Sequence, residues 1–180
     1  MKNTRKLALS ALLSATGVIF LLFGSFLQVL DLTAAALASF VIVLAVIEIG
    51  GKYPVLIYFS VSLISILILP YKMPAVFFIA FTGVYPLLKA QFERRHPAVS
   101  WTLKLSTFNV MLGLLIFFIR ILLPRELIDL RENINFLETF EILVFLLANA
   151  AFIIYDIAVT SIINIYIVKV RKLLKLENYF

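Results

Sequence analysis

The sequence has no cysteine, one histidine and one tryptophan, and only 14% of its 180 residues are charged. Without cysteine, the chain can form no disulfide, no thiolate metal site and no cysteine nucleophile. The sequence also has no glycine-rich phosphate-binding motif and no His-Glu-x-x-His motif, so we expect neither an ATPase nor a metalloprotease centre. We therefore expect a protein that is not an enzyme and that holds no cofactor or metal.

Hydrophobic residues are in excess: they make up 63% of the chain, and the mean hydropathy is +1.10. A soluble domain is about 45–50% apolar and about 25% charged. The remaining polar residues are too few to cover such a core in water, so lipid is the expected solvent for most of the apolar surface. The net charge of +6 falls largely in connections between apolar segments, which disfavours a basic nucleic-acid patch.

Six apolar segments approach the length of about 20 residues that a helix needs to cross a bilayer. Runs such as residues 110–119 are apolar on every side, unlike the alternating strands of a membrane barrel. We predict an all-α bundle of about six transmembrane helices that forms a single domain over residues 1–180. The predicted spans are residues 7–30, 33–50, 54–69, 73–92, 101–123 and 139–168. The charged stretch at residues 125–133 is compatible with a short amphipathic helix.

Basic residues divide unequally between the two sides of this arrangement. Twelve of the sixteen lysines and arginines lie at the termini, at the second connection, or at the fourth connection and its flanks. The other four are Lys72, Arg120, Arg125 and Arg131. Because cytoplasmic connections carry the excess of Lys and Arg, we predict a multi-pass protein of the cytoplasmic membrane with both termini in the cytoplasm.

The last predicted span carries a polar stripe on an otherwise apolar helix. Asn149, Asp156, Thr160 and Asn164 fall within roughly 80° of one another at about 100° per residue. Polar residues of this kind often join helices by hydrogen bonds. For the three uncharged residues, this explanation is at least as good as a role in function. A carboxylate roughly 20 Å from either charged end of the span is a candidate functional group. We expect Asp156 to face the bundle interior, to be protonated, or to have a partner such as a substrate group, Asn109 or a neighbouring hydroxyl.

The connections on the predicted outer side supply further candidates. Asp31 follows the first span, and Tyr71 and Lys72 lie between two prolines. Turn chemistry and an interfacial aromatic explain these residues without a ligand, but if the connections converge they offer a carboxylate, an ammonium and an aromatic face to a solute. Lys104 and Arg120 are expected to extend to the membrane interfaces. The candidate substrate-binding residues are Asp31, Tyr71, Lys72, Asn109, Asn149, Asp156 and Thr160.

Residues 11–15 read Ala-Leu-Leu-Ser-Ala, a small-xxx-small pattern that permits close helix contact within the chain or with a partner. This motif, the six-span layout with cytoplasmic termini and the Leu-Asp-Leu-Thr start of the second span resemble the S component of an energy-coupling factor transporter. The resemblance implies a subunit that captures a vitamin-like micronutrient. It also implies that Ala11 and Ala15 dock on a membrane coupling subunit driven by separate ATPases, and that Asp31 belongs to a capping loop.

Three functions are therefore open at the level of sequence. The leading hypothesis is a substrate-capture subunit of an uptake transporter, with a small-molecule substrate, membrane lipid and a coupling subunit as partners. The second is a membrane scaffold whose small-residue faces recruit partner helices. The third is an autonomous carrier that uses Asp156 as a proton site.

Overall fold

The structure is a computed structural model that describes residues 3–122 and 134–170, which form helices joined by short turns. Two π-helical turns accompany the α-helices, one at Phe78–Thr82 and one at Tyr166–Val170. The α-helices are α1 (Asn3–Leu27), α2 (Asp31–Glu48), α3 (Tyr53–Ile68), α4 (Met73–Phe77), α5 (Tyr85–Phe92), α6 (Pro97–Leu122) and α7 (Ile134–Ile165).

The all-α membrane bundle predicted from the sequence is confirmed. Five segments of the described chain are long and apolar enough to cross a bilayer, and α3, with 16 residues, is a shorter apolar helix. The five are Asn3–Leu27, Asp31–Glu48, Met73–Phe92, Pro97–Phe117 and Ile142–Lys169. The amphipathic helix predicted at residues 125–133 lies outside the described residues.

Three helices begin four or five residues earlier than hydropathy predicts. Helix α1 begins at Asn3 rather than at residue 7, α6 at Pro97 rather than at 101, and α7 at Ile134 rather than at 139. A helix extends as far as its backbone geometry allows, not only as far as its apolar stretch. Proline fits the first helical position because its missing N–H would have no intrahelical partner there, which explains the start of α6.

The fourth span is not a continuous α-helix. Its α4 and α5 segments are separated by the π-helical turn, in which the Gly83 N–H donates to the Phe78 carbonyl at 2.8 Å. Pro86, near the start of α5, has no N–H to donate to the preceding turn. A side chain at Gly83 would come within 2.8 Å of the Phe78 ring. Gly83 and Pro86 thus lie at the interruption of the fourth span.

Among the described helices, α1 packs most closely against α2 and α3. Gly17 of α1 meets Val61 of α3, and Gly24 of α1 lies against Ala34 of α2 and Pro74 of α4. Small residues at these crossings let the backbones approach one another, as is usual in membrane bundles. We call the end with the α2–α3 and α5–α6 connections the N-terminal end, and the end with the α1–α2 and α3–α4 connections the distal end.

Candidate functional site

Three charged side chains from three helices meet inside the bundle. Asp156 of α7, Lys89 of α5 and Lys104 of α6 are 2%, 1% and 4% exposed. One carboxylate oxygen of Asp156 pairs with Lys89 Nζ, and the other lies 3.0 Å from Lys104 Nζ. The single carboxylate thus bridges two ammonium groups and joins α7 to both neighbouring helices.

Three more polar side chains complete this charge cluster. The Tyr85 hydroxyl donates to Asp156 Oδ1 at 2.5 Å, and Lys89 Nζ donates to Thr160 Oγ1 at 2.8 Å. Glu93 Oε1 lies 3.0 Å from Lys89 Nζ and 3.1 Å from Lys104 Nζ. We define the charge cluster as Tyr85, Lys89, Glu93, Lys104, Asp156 and Thr160.

The formal charges of the charge cluster sum to zero, because two lysines face two carboxylates. Buried charges are costly unless they are paired and hydrogen-bonded. Asp156 and both lysines are buried, whereas the Glu93 side chain is 41% exposed at the N-terminal end. The arrangement meets the requirement for pairing without any ligand, so it is suited to holding α5, α6 and α7 together.

The structure corrects two sequence-based expectations about this region. The prediction that Lys104 extends to the interface is wrong, because Asp156 and Glu93 hold its ammonium inside the bundle. The expectation that Asp156 lies midway between charged ends holds only along α7. Relative to its partners it lies toward the N-terminal end, since Lys89 is in the last turn of α5 and Lys104 in the second turn of α6.

The sequence analysis missed Tyr85, Lys89 and Glu93 as site residues, and Lys89 was counted with the charged fourth connection. A signal for it exists in the sequence. Tyr85, Lys89 and Glu93 recur every four residues, a spacing that puts them on one helical face. A lysine on the same face as a tyrosine, one turn inside the span, needs a partner at that depth.

The polar stripe of α7 faces the bundle interior over only part of its length. Asn149 and Asn109 form two reciprocal side-chain hydrogen bonds of 3.1 Å between α7 and α6. Thr160 belongs to the charge cluster, whereas Asn164 is exposed. Asn109 was expected as a partner of Asp156, but it pairs with Asn149. Asn109 and Asn149 therefore join α6 to α7, which is the alternative that the sequence left open for Asn149.

Two of the candidates at the distal connections, Tyr71 and Lys72, already have hydrogen-bond partners in the chain. Lys72 Nζ donates to the carbonyls of Ile66 and Leu69 at the end of α3. The Tyr71 backbone exchanges two hydrogen bonds with the Ser25 hydroxyl, at 2.8 and 2.9 Å, which ties this connection to α1. Asp31 lies in the first turn of α2 and is half-buried. These contacts match the turn chemistry that the sequence offered as one explanation.

The distal half of the bundle contains a partly enclosed cavity of about 230 Å³ between α2, the fourth span, α6 and α7. Its walls are almost entirely apolar, and none of the candidate substrate-binding residues lines it. The lining residues are Leu32, Ala36, Phe77, Ala80, Phe81, Thr82, Phe108, Met111, Leu112, Leu115, Ala148, Ala151, Phe152 and Tyr155. We call it the distal cavity.

Aromatic rings separate the distal cavity from the charge cluster. Phe108 and Phe152 stack at 4.5 Å between ring centroids, and Phe81 packs edge-on against both. The Tyr85 ring packs against Phe152 at 5.2 Å, while its hydroxyl reaches Asp156. From the distal side toward the N-terminal end, the bundle therefore has a cavity, an aromatic layer and a charge cluster.

Ala11 and Ala15 do not pack within the described chain. Both side chains are exposed on α1, whereas Ser10, Ser14 and Gly17 form its buried face. Packing of the alanine pair against the described helices, one of the two explanations left open, is therefore not observed. The pair lies on a surface that faces lipid or another protein.

Together these features define the class of protein. The chain is a multi-pass helical membrane protein with an apolar cavity in one half of its bundle and a charge-balanced cluster in the other. Comparisons with protein-family models, with curated proteins and with solved structures gave no match to this chain. Its function is therefore inferred from its geometry.

Proposed function

We propose that the chain is a substrate-capturing membrane subunit of an uptake transporter, and that its solute binds in the distal cavity. The observation that carries the proposal is the cavity itself, which four helices enclose at one end of the bundle. Binding sites of membrane bundles and solute carriers lie between helices in this way. The charge cluster fills the opposite half of the bundle that the structure describes.

The proposed orientation puts this cavity in the outer half of the membrane. Twelve of the sixteen basic residues lie on the side of the N-terminal end, which favours a cytoplasmic position for that end and for both termini. A cavity at the distal end is then reached from outside the cell. This geometry suits a subunit that captures a solute before transport.

The walls of the cavity restrict the class of solute. Thr82 and Tyr155 supply the hydroxyl groups of the lining, and each already has a partner. The Thr82 hydroxyl donates to the Ala35 carbonyl at 3.0 Å, and the Tyr155 hydroxyl lies 2.8 Å from Ser39 Oγ. The cavity is smaller than the roughly 300–1,000 Å³ of drug-sized sites. We therefore propose a small, largely apolar solute rather than a charged micronutrient.

The coupling of capture to transport is proposed to come from a partner. The sequence has no phosphate-binding motif, so energy would be supplied by separate ATPase subunits through a membrane coupling subunit. Ala11 and Ala15 offer an exposed small-residue face on α1, of the kind that allows close helix approach. The resemblance to S components assigns docking to these same positions.

The test is to purify the chain in detergent, extract it with organic solvent, and identify bound solutes by mass spectrometry. We expect a small apolar compound in stoichiometric amount, and co-purification of a coupling subunit that is lost in the variant with Ala11 and Ala15 both changed to Leu. The absence of any bound solute, with no coupling subunit captured, would contradict the proposal.

The two alternative functions fit the geometry less well. An autonomous proton-coupled carrier needs a carboxylate that is free to exchange protons, whereas Asp156 is bound by two lysines and a tyrosine. A scaffold accounts for the exposed alanine pair and for the helix-joining asparagines, but it gives the distal cavity no role. Bound solute therefore separates capture from scaffolding.

A further inference from the structure

A second apolar space lies on the outside of the bundle, between α3, the fourth span and α6. It has a volume of about 630 Å³, within the range of about 300–1,000 Å³ of ligand sites. Val76, Ile79 and Leu114 are among the residues that line it, and Lys72 is its charged residue. We call it the lateral groove.

The length of the lateral groove matches one leaflet of a bilayer. Its lining on the fourth span runs from Lys72 to Val84, which is roughly 18 Å at about 1.5 Å per residue. Half of a hydrocarbon core of about 30 Å is roughly 15 Å. The groove therefore accommodates an acyl chain that extends from the membrane surface toward the middle of the bilayer.

Lys72 lies at the surface end of the lateral groove. It belongs to the α3–α4 connection, where lipid headgroups meet the protein. The hydrogen bonds described for its ammonium go to the carbonyls of Ile66 and Leu69, and a lysine ammonium has three donors. Among the residues that the structure describes, no carboxylate forms an ion pair with Lys72. A positive charge at this position complements the phosphate of an anionic headgroup.

We infer that the lateral groove binds one phospholipid with an anionic headgroup, its acyl chain along Val76 and Ile79 and its phosphate at Lys72. This site is separate from the distal cavity, so the inference does not depend on the proposed function. The two spaces share the wall formed by Ala80, Met111 and Leu115. A lipid in the groove therefore packs against the same residues that bound the cavity.

The headgroup half of the inference is tested by native mass spectrometry of the protein equilibrated with equal amounts of phosphatidylglycerol and phosphatidylcholine. We expect wild type to retain about fivefold more phosphatidylglycerol, the ratio expected from one lysine near the surface. Lys72→Gln should abolish the preference and Lys72→Arg should preserve it. Lys52→Gln changes an exposed lysine of the α2–α3 turn and should leave it unchanged. If Lys72 only caps α3, Lys72→Gln lowers the unfolding temperature and leaves the lipid ratio intact, which overturns the inference.

The acyl-chain half is tested by filling the groove. Val76→Trp should abolish retention of both lipids, whereas Leu63→Trp introduces the same ring at an exposed position of α3 that does not line the groove. We expect at least a fivefold difference in retained lipid between the two variants, because the ring displaces an acyl chain whose burial contributes about 0.8 kcal/mol per CH₂. Equal retention would overturn the inference. The two halves use different variants, so a misfolded Val76→Trp protein leaves the headgroup test decisive.

Discussion

Replacing Asp156 with Asn should destabilise the bundle strongly. The substitution preserves the size of the side chain but removes the charge that bridges Lys89 and Lys104. The two buried ammonium groups then share Glu93, whose side chain is 41% exposed, and one positive charge is left uncompensated. Removing one partner of a buried ion pair costs about 3–5 kcal/mol, so we expect a loss of this order in unfolding free energy.

The assay is reversible unfolding in mixed micelles with increasing denaturing detergent, followed by circular dichroism. Asp31→Asn is the matched control, because the same chemical change falls on a half-buried carboxylate in the first turn of α2 whose Oδ1 has no hydrogen-bond partner among the residues that the structure describes. We expect the control to lower the unfolding free energy by no more than about 1 kcal/mol, the contribution of a negative charge at a helix N-terminus. Equal unfolding midpoints for Asp156→Asn and wild type would refute the assignment of Asp156 to a charge-balanced cluster.

A double substitution sharpens the same test. Lys104→Met alone leaves one negative charge in excess, and combining it with Asp156→Asn restores electrical balance between Lys89 and Glu93. We therefore expect the double variant to be more stable than the sum of the single effects predicts, with a coupling of about 0.5–3 kcal/mol. Additive effects would mean that the two side chains do not interact.

Two further predictions concern packing and helix pairing. Gly24→Ala should lower the unfolding free energy by about 1–3 kcal/mol, because the new Cβ would lie 2.4 Å from that of Ala34. A Cβ at Gly113 would have no atom within 4 Å. Gly113→Ala should therefore leave the unfolding free energy unchanged or raise it by up to about 1 kcal/mol. Asn149→Leu should cost about 0.6–2 kcal/mol, and Asn109→Leu should add little once Asn149 is replaced, because each asparagine serves as the partner of the other. Unfolding midpoints of all the variants, measured in one detergent, check both predictions. Equal midpoints for the two alanine variants would contradict the packing prediction. Fully additive effects of the two asparagine substitutions would contradict the pairing prediction.

The fold was predictable from the sequence because the bilayer imposes it. Lipid requires long apolar helices, so hydropathy located the five described segments that are long enough to span, including the one that proline and glycine interrupt. The ends of the helices were less predictable. Asn3 is polar and Pro97 has a fixed backbone angle, but each forms the first residue of a helix. A prediction that follows apolar residues alone therefore places these helix starts too late.

The site was predictable only in part. Asp156 stood out because a carboxylate within a span demands a partner, but its partners did not, since Lys89 and Lys104 lie near span ends where lysines usually reach water. The distal cavity left no sequence signal. It is formed by apolar side chains such as Ala36 and Phe108, and its volume depends on how four helices pack.

The most direct test of the account is to fill the distal cavity and measure what remains bound. Ala36→Phe places a ring at a lining position of α2, while Leu37→Phe places the same ring at the neighbouring exposed position. Native mass spectrometry detects the solute that stays bound to each variant. We predict that Ala36→Phe loses the solute and that Leu37→Phe retains it, with similar unfolding midpoints for the two variants. Retention of the solute by Ala36→Phe, or its loss from Asp156→Asn protein that is still folded, would contradict binding in the cavity.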